Sequence, residues 1–219
     1  MSCLAEQAKI LVMEAEENNL GVETRNERFT RWFACSLCEQ QYHGVMYCAL
    51  GWACWKTYLG RPEGNEIRLT AMRQLGTGLH FAKDYAAAVS VKEAELATLR
   101  RIGGTESDIL ITLANLAGTY DELGRREDSL RILQDVYSRR LELSGEEHVH
   151  TISVAINYAV MLNDLERYAE AKSLFRKVIP VAQRVLGASH DHTLRMKWAY
   201  TRALCDDPGV TLDDISAKP

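Results

Sequence analysis

The chain has 219 residues, 47% hydrophobic and 26% charged, with a net charge of −4. That length can bury a sizeable core in one or two domains, and the acidic balance disfavours nucleic acid or an anionic membrane as the main partner. Four prolines and 14 glycines exclude a low-complexity chain, and six scattered cysteines are not a secreted disulfide framework.

The first residues, MSCLAEQAKILVMEAEENN, lack a basic segment leading into an apolar run, so no signal peptide is expected. The longest stretches without Asp, Glu, Lys or Arg, 40–55 and 148–163, are too short to cross a bilayer. A reducing, cytoplasmic setting is the expectation.

In chain order, residues 2–20 read as a lone helix, the second member (B) of a helix pair. Residues 24–60, 65–103, 107–145 and 151–187 each read as a pair, helix A then helix B. Residues 190–219 hold a further helix A, and DDPGVTLDDI begins a helix that the sequence does not complete. The expected whole is a single array over 1–219 that starts and stops in mid-repeat. Such an array is a segment of a longer one, or has ends covered by a partner.

The pairs are defined by recurrence. FAKDYAAAVSVKEAELATLRRIGG, LGRREDSLRILQDVYSRRLELSG and LERYAEAKSLFRKVIPVAQRVLG align, and their closing glycines, Gly103, Gly145 and Gly187, are 42 residues apart. A glycine past a helix end supplies the left-handed residue at no Cβ cost. Ser107 and Thr151 are the expected N-caps of the helices that follow. Ile109, Leu113, Leu116, Tyr120 and Leu123 recur at intervals of 4, 3, 4 and 3, the apolar face of a helix. Small residues stand where helices must approach: Gly76, Ala117 and Ala159 in the A helices, Ala88, Ser129 and Ala171 in the B helices. Pro180, inside the last full B helix, is expected to bend it.

This pattern resembles the tetratricopeptide repeat in the 42-residue form of kinesin light chains. The matching residues are LANLAGTYDELGRREDSLRIL, AINYAVMLNDLERYAEAKSLF and the linkers Gly145–His148–Thr151 and Gly187–His190–Thr193. The resemblance implies an all-α fold, a right-handed α-solenoid of antiparallel helix pairs. It implies a scaffold that binds an extended peptide or partner protein in the concave groove lined by the A helices, with no enzymatic activity and no cofactor. In the resembled family, carboxamides one position before the core Leu or Tyr of helix A clamp a peptide backbone. Here that position is held by Gln74, Asn115 and Asn157; an amide pairs donor and acceptor as a peptide unit does. Arg73, His80 and Arg202 are expected beside them. Ala199 ends the amide series.

The stretch CSLCEQQYHGVMYCALGWACW, from Cys35 to Trp55, asks for a separate reading. A shift of 43 residues lays Cys38 on Phe81, Tyr42 on Tyr85 and Gly60 on Gly103. The stretch is then the end of one helix A and most of a helix B, with cysteines in place of Phe, Val and Ala. The alternative is a zinc-binding regulatory segment using Cys35, Cys38, His43 and Cys48. A structural zinc site needs four converging ligands, whereas CSLC has neither Pro nor Gly to shape a knuckle. Thioredoxin-like chemistry lacks its βαβ frame. His148/His150 and His190/His192 could also suggest ligands, but they recur because the linker recurs. The helix from His43 to Tyr58 carries no charge before Lys56, while its equivalents place charges such as Lys92 outward. Met46, Leu50 and Ala53 are expected to face the core, leaving Tyr47, Trp52 and Trp55 as a candidate interface for self-association or a partner.

Overall fold

The computed structural model describes residues 2–212 and Ser216; the end of the expected last helix, at 213–215 and 217–219, lies outside the described residues. The chain divides into two compact units, Met1–Thr112 and Leu113–Pro219. Apart from one isolated bridge, every regular element among the described residues is helical.

The first unit holds α1 (Ser2–Glu17), α2 (Val22–Phe29) running into a 3₁₀ turn at Thr30–Trp32, α3 (Gly44–Tyr58), α4 (Glu66–Phe81), α5 (Tyr85–Ile102) and the opening turns of α6 (Glu106–Glu122). Each helix packs on the next in sequence from α3 to α5, and α1 packs on α2 and α3. One core joins Val12, Phe29, Trp32, Cys54, Tyr58 and Ile67. Trp32 is fully buried, its ring edge-on to Tyr58 at 5.9 Å. The second unit holds the rest of α6, α7 (Arg126–Ser144), α8 (Val149–Asp164), α9 (Tyr168–Leu186) and α10 (Asp191–Asp206). Here α8 packs between α7 and α9, and α10 rests on α9 and α8.

The small residues sit where helix pairing needs them: Gly76, Ala117, Ala159, Ala88, Ser129 and Ala171 are all buried. In α3 and α4 the requirement is stricter. A Cβ on Gly78 would lie 2.9 Å from the Cys48 Cα, and one on Gly51 would lie 3.2 Å from the Gln74 carbonyl oxygen. The two backbones therefore touch along Gly51 and Gly78, which fixes the inward face of α3. That face is Tyr47, Leu50, Gly51, Cys54 and Tyr58, not the expected Met46, Leu50 and Ala53. Met46 points outward, and Tyr47 goes in.

The first helix A also departs from expectation. It stops at Trp32 instead of running through Cys35 and Cys38. Residues 33–43 form a loop closed by the Ala34–Gln41 bridge, with Cys35 N–H donating to Gln40 O (2.9 Å) and Tyr42 N–H to Phe33 O (2.8 Å). The physical reason is the lack of an apolar face: Leu37 is 93% exposed, so a helix here would have nothing to bury. Cys38 is exposed on this loop, not on a helix as Phe81 is.

Helix ends follow sequence chemistry with shifts. Thr105, not Ser107, caps α6: its Oγ1 accepts from Asp108 N–H (3.1 Å). His148, not Thr151, caps α8, its Nδ1 accepting from His150 N–H at 3.2 Å; His190 does the same for His192 N–H on α10 (3.2 Å). Thr151 is buried inside α8. Gly103 is left-handed (φ 69°, ψ 39°), whereas Gly145 (77°, 174°) and Gly187 (99°, 154°) take the positive-φ extended form that only glycine adopts readily. Gly60 shows no positive φ, because α3 closes through Leu59 in ordinary helical geometry. Helix α9 continues past Pro180 without a break.

One buried feature runs against the sequence expectation. Lys92, expected on the outer face, is 5% exposed and Glu95 1% exposed. They stand where α7 has Leu133 and Val136 and α9 has Phe175 and Val178, all core residues. Glu95 accepts from Arg73 Nε (2.8 Å) and Thr112 Oγ1 (3.1 Å). Burial pushes the Glu95 carboxyl up and the Lys92 amine down to about 8. Gly76 leaves room for the Lys92 stem, which a Cβ would meet at 3.1 Å.

Candidate functional site

In the first unit the expected groove residues are drawn into packing. Gln74 is 6% exposed, and the Tyr47 hydroxyl donates to its Oε1 at 3.0 Å. That bond ties α3 to α4 and removes both residues from the surface. Burial raises the Tyr47 hydroxyl pKa, against the Gln74 bond. Gln74 is thus a bridge between helices rather than a groove amide, and Tyr47 is a core residue rather than an interface one. Arg73 is half-buried and held by Glu95 and by Asp108 (3.6 Å). His80 is half-buried between the rings of Phe81 and Tyr85, 5.9 and 5.4 Å away.

The second unit keeps its amides outward. Asn115 on α6 and Asn157 on α8 are both exposed, 42 residues apart on consecutive A helices. Asn163, one turn and a half further along α8, is buried. Arg202 on α10 pairs with Asp164 and with Asp206 (3.4 Å), and its guanidinium lies 5.8 Å from the Trp198 ring centre. Glu122, Asp164 and Asp206 repeat at 42-residue intervals at the C-terminal ends of α6, α8 and α10. Burial is the first cause that raises the nearby Asp121 carboxyl; Arg126 at 3.4 Å opposes it, and Asp164 and Glu122 add to it.

Trp198 is a feature that the repeat pattern alone did not single out. It is 66% exposed, although its equivalent one repeat earlier, Ile156, is 1% exposed. Leu194, one turn before it, is also exposed. A tryptophan at the position that holds Ala114 and Ile156 in the two preceding repeats was the available signal.

On α3, Trp52 is exposed together with Val45 and Met46, so an apolar strip does reach solvent. Trp55 packs against both core clusters of the unit and carries Arg68 at 5.8 Å over its ring. It belongs to the packing more than to the strip.

The candidate zinc ligands do not converge. Cys35 and Cys38 share the loop, Cys48 lies against Gly78 on α3, and His43 sits at the start of α3. Among the described residues no group of three or more His, Cys, Asp or Glu side chains is placed to hold a metal ion. Burial raises the thiol pKa of Cys48 and of Cys54, as expected for packing thiols. In each histidine pair, ring centres 5.2 and 5.3 Å apart, the first histidine is a helix cap.

Comparison with known proteins agrees with this architecture. The tetratricopeptide repeat family matches residues 109–150 and 151–192. Clustered mitochondria protein homologs of Aspergillus niger and Aspergillus clavatus are 23% and 24% identical over 122 residues, covering 56% of this chain and 10% of theirs. The match therefore spans a tenth of those relatives. A Podosopora anserina structure of kinesin light chain nearly identical TPR-like repeats superposes with a TM-score of 0.64 at 15% identity, over 99% of this chain and 92% of that one. BtubC (BKLC) from P. vanneervenii gives 0.58 at 15% identity, over 77% and 75%. The protein is an all-α helical-repeat protein. Its residues 109–192 match the tetratricopeptide repeat family, and its fold is that of the kinesin light chain-like repeat structures. No described helix is long and apolar enough to cross a membrane.

Proposed function

We propose that the protein is an interaction scaffold that binds an extended peptide segment of a partner protein on the A-helix face of its second unit. The observation that carries this reading is the exposed pair Asn115 and Asn157, one repeat apart, in a chain whose third amide, Gln74, is buried. Two amides at a repeat spacing can each exchange two hydrogen bonds with a peptide backbone. Trp198, with Arg202 beside it, offers an apolar anchor on the next A helix. Compared with the expected groove, Gln74, Arg73 and His80 are left out of the contact set. Hydrogen exchange with a peptide selected from a random display library tests the proposal. Protection is expected on α6, α8 and α10; protection confined to α7 and α9 would defeat it.

A second reading rests on the α3 strip. Val45, Met46 and Trp52 are 79%, 40% and 43% exposed on a helix that has lost the charges of its equivalents. Self-association through this strip would explain the loss. Sedimentation velocity of the wild type against Trp52→Glu decides it: dimer dissociation supports the reading, and an unchanged distribution removes it.

A further inference from the structure

The loop between Trp32 and α3 carries chemistry that partner binding does not use. Cys35 and Cys38 are not packing thiols. Cys38 is exposed, and Cys35 is half-buried at the base of the loop. The two cysteines stand three residues apart in one tight turn, and the Cys38 and Leu37 amides, then the Cys38 side chain, lower the Cys35 thiol pKa. Arg31 lies close enough to add a positive field. The backbone already closes around the pair, with Glu39 N–H donating to Cys35 O (3.0 Å) and Cys35 N–H to Gln40 O (2.9 Å). A bond between the sulfurs would close within this loop, outside the 3₁₀ turn and α3.

We propose that Cys35 and Cys38 form a peroxide-sensitive dithiol, with Cys35 the attacking sulfur and Cys38 the resolving one. The amide donors, the Cys38 side chain and Arg31 hold the Cys35 thiol below its ordinary pKa, so at any given pH its thiolate fraction exceeds that of an unperturbed thiol. The thiolate attacks one oxygen of hydrogen peroxide. An S–O bond forms, the O–O bond breaks, and hydroxide leaves; Cys35 becomes a sulfenic acid. The Cys38 sulfur then attacks the Cys35 sulfur. The S–S bond forms, the S–O bond breaks, and the hydroxyl leaves as water with the Cys38 proton. Two thiols and one peroxide give one disulfide and two waters. A dithiol reductant reverses the step by exchange, as expected for an exposed short-loop disulfide.

The competing chemistry for a C-x₂-C loop is zinc. It needs two further donors, and among the described residues no third His, Cys, Asp or Glu joins the pair.

The experiment treats the reduced full chain with hydrogen peroxide, alkylates at intervals and maps every cysteine by peptide mass. Cys3 and Cys205, exposed on the same chain, serve as internal controls. Cys35 should be consumed about tenfold faster than either, and its product should be a Cys35–Cys38 disulfide, two hydrogens lighter and restored by dithiothreitol. In Cys38→Ser, Cys35 should stop at a sulfenic acid that dimedone traps. In Cys35→Ser, Cys38 should react no faster than the controls. Equal rates at Cys35 and the controls would overturn the proposal. So would a disulfide to Cys48 or Cys54, or zinc bound by the two thiols in the chain as purified.

Discussion

Tyr47 and Gly78 are the residues on which the first unit turns. Tyr47 carries a hydroxyl into the α3–α4 seam and donates it to Gln74 there. Tyr47→Phe should leave the Gln74 amide oxygen buried without that donor and cost about 1–3 kcal/mol, read as a lower urea midpoint with an unchanged slope. Peptide binding should not change, because the seam lies outside the proposed binding face. Gly78→Ala pushes a methyl against the Cys48 backbone, which cannot swing away as a side chain could. About 1–3 kcal/mol should be lost, and the same substitution at Gly118, which has open space around it, should not show that loss. The small residues were legible in the sequence because helix pairing demands them at each repeat. The inward face of α3 was not. With no charge before Lys56, its sequence gives a helical period nothing to contrast with, and only the glycine contacts decide which side goes in.

At the level of elements, the buried charges of α5 and the histidine caps behave in opposite ways. Lys92 and Glu95 replace a hydrophobic pair, and Arg73 and Thr112 complete their contacts from α4 and α6. Glu95→Leu alone should be severe, about 3 kcal/mol or more, since it removes the buried carboxylate beside Lys92 and leaves Arg73 with Asp108. Lys92→Leu combined with Glu95→Leu should recover much of that loss, because α7 and α9 show that the site accepts aliphatic side chains. A double-mutant cycle in urea measures the difference. The repeat register sets both residues at core positions, but their charge reads as outward, and the tertiary partners on α4 and α6 make the site tolerable. The caps were half legible. The recurring histidines were visible, but their role was not, since imidazole is not among the usual capping side chains. Burial, then Arg140 and His148, keep His150 below its ordinary value of 6.5, so the fold favours the neutral ring. Its contribution is present above that pH and is lost as pH falls through the lower folded value. Stability of the second unit should therefore decline as the pH falls below 6.5, and His150→Gln should blunt the decline. A thermal melt series across that range reads both.

At the scale of the molecule, the repeat register named the architecture before any coordinates did. Glycines at 42-residue intervals and paired helical periods suffice for an α-solenoid. The register also misled in one place. It matched Tyr42 and Gly60 to later repeats and so carried a helix through Cys35 and Cys38, where the chain has no apolar face to bury. The amide series failed in a related way. Gln74, Asn115 and Asn157 share a position, but a tyrosine on the preceding helix turns the first of them inward. The binding face we propose is centred on the second unit. Its most direct test is the affinity of a library-selected peptide for the wild type and for Asn115→Leu/Asn157→Leu, measured by fluorescence anisotropy. Loss of two backbone-directed amides should weaken binding by roughly tenfold or more, with the thermal midpoint unchanged at these exposed sites. Equal affinity for the two proteins would place the peptide elsewhere on the molecule.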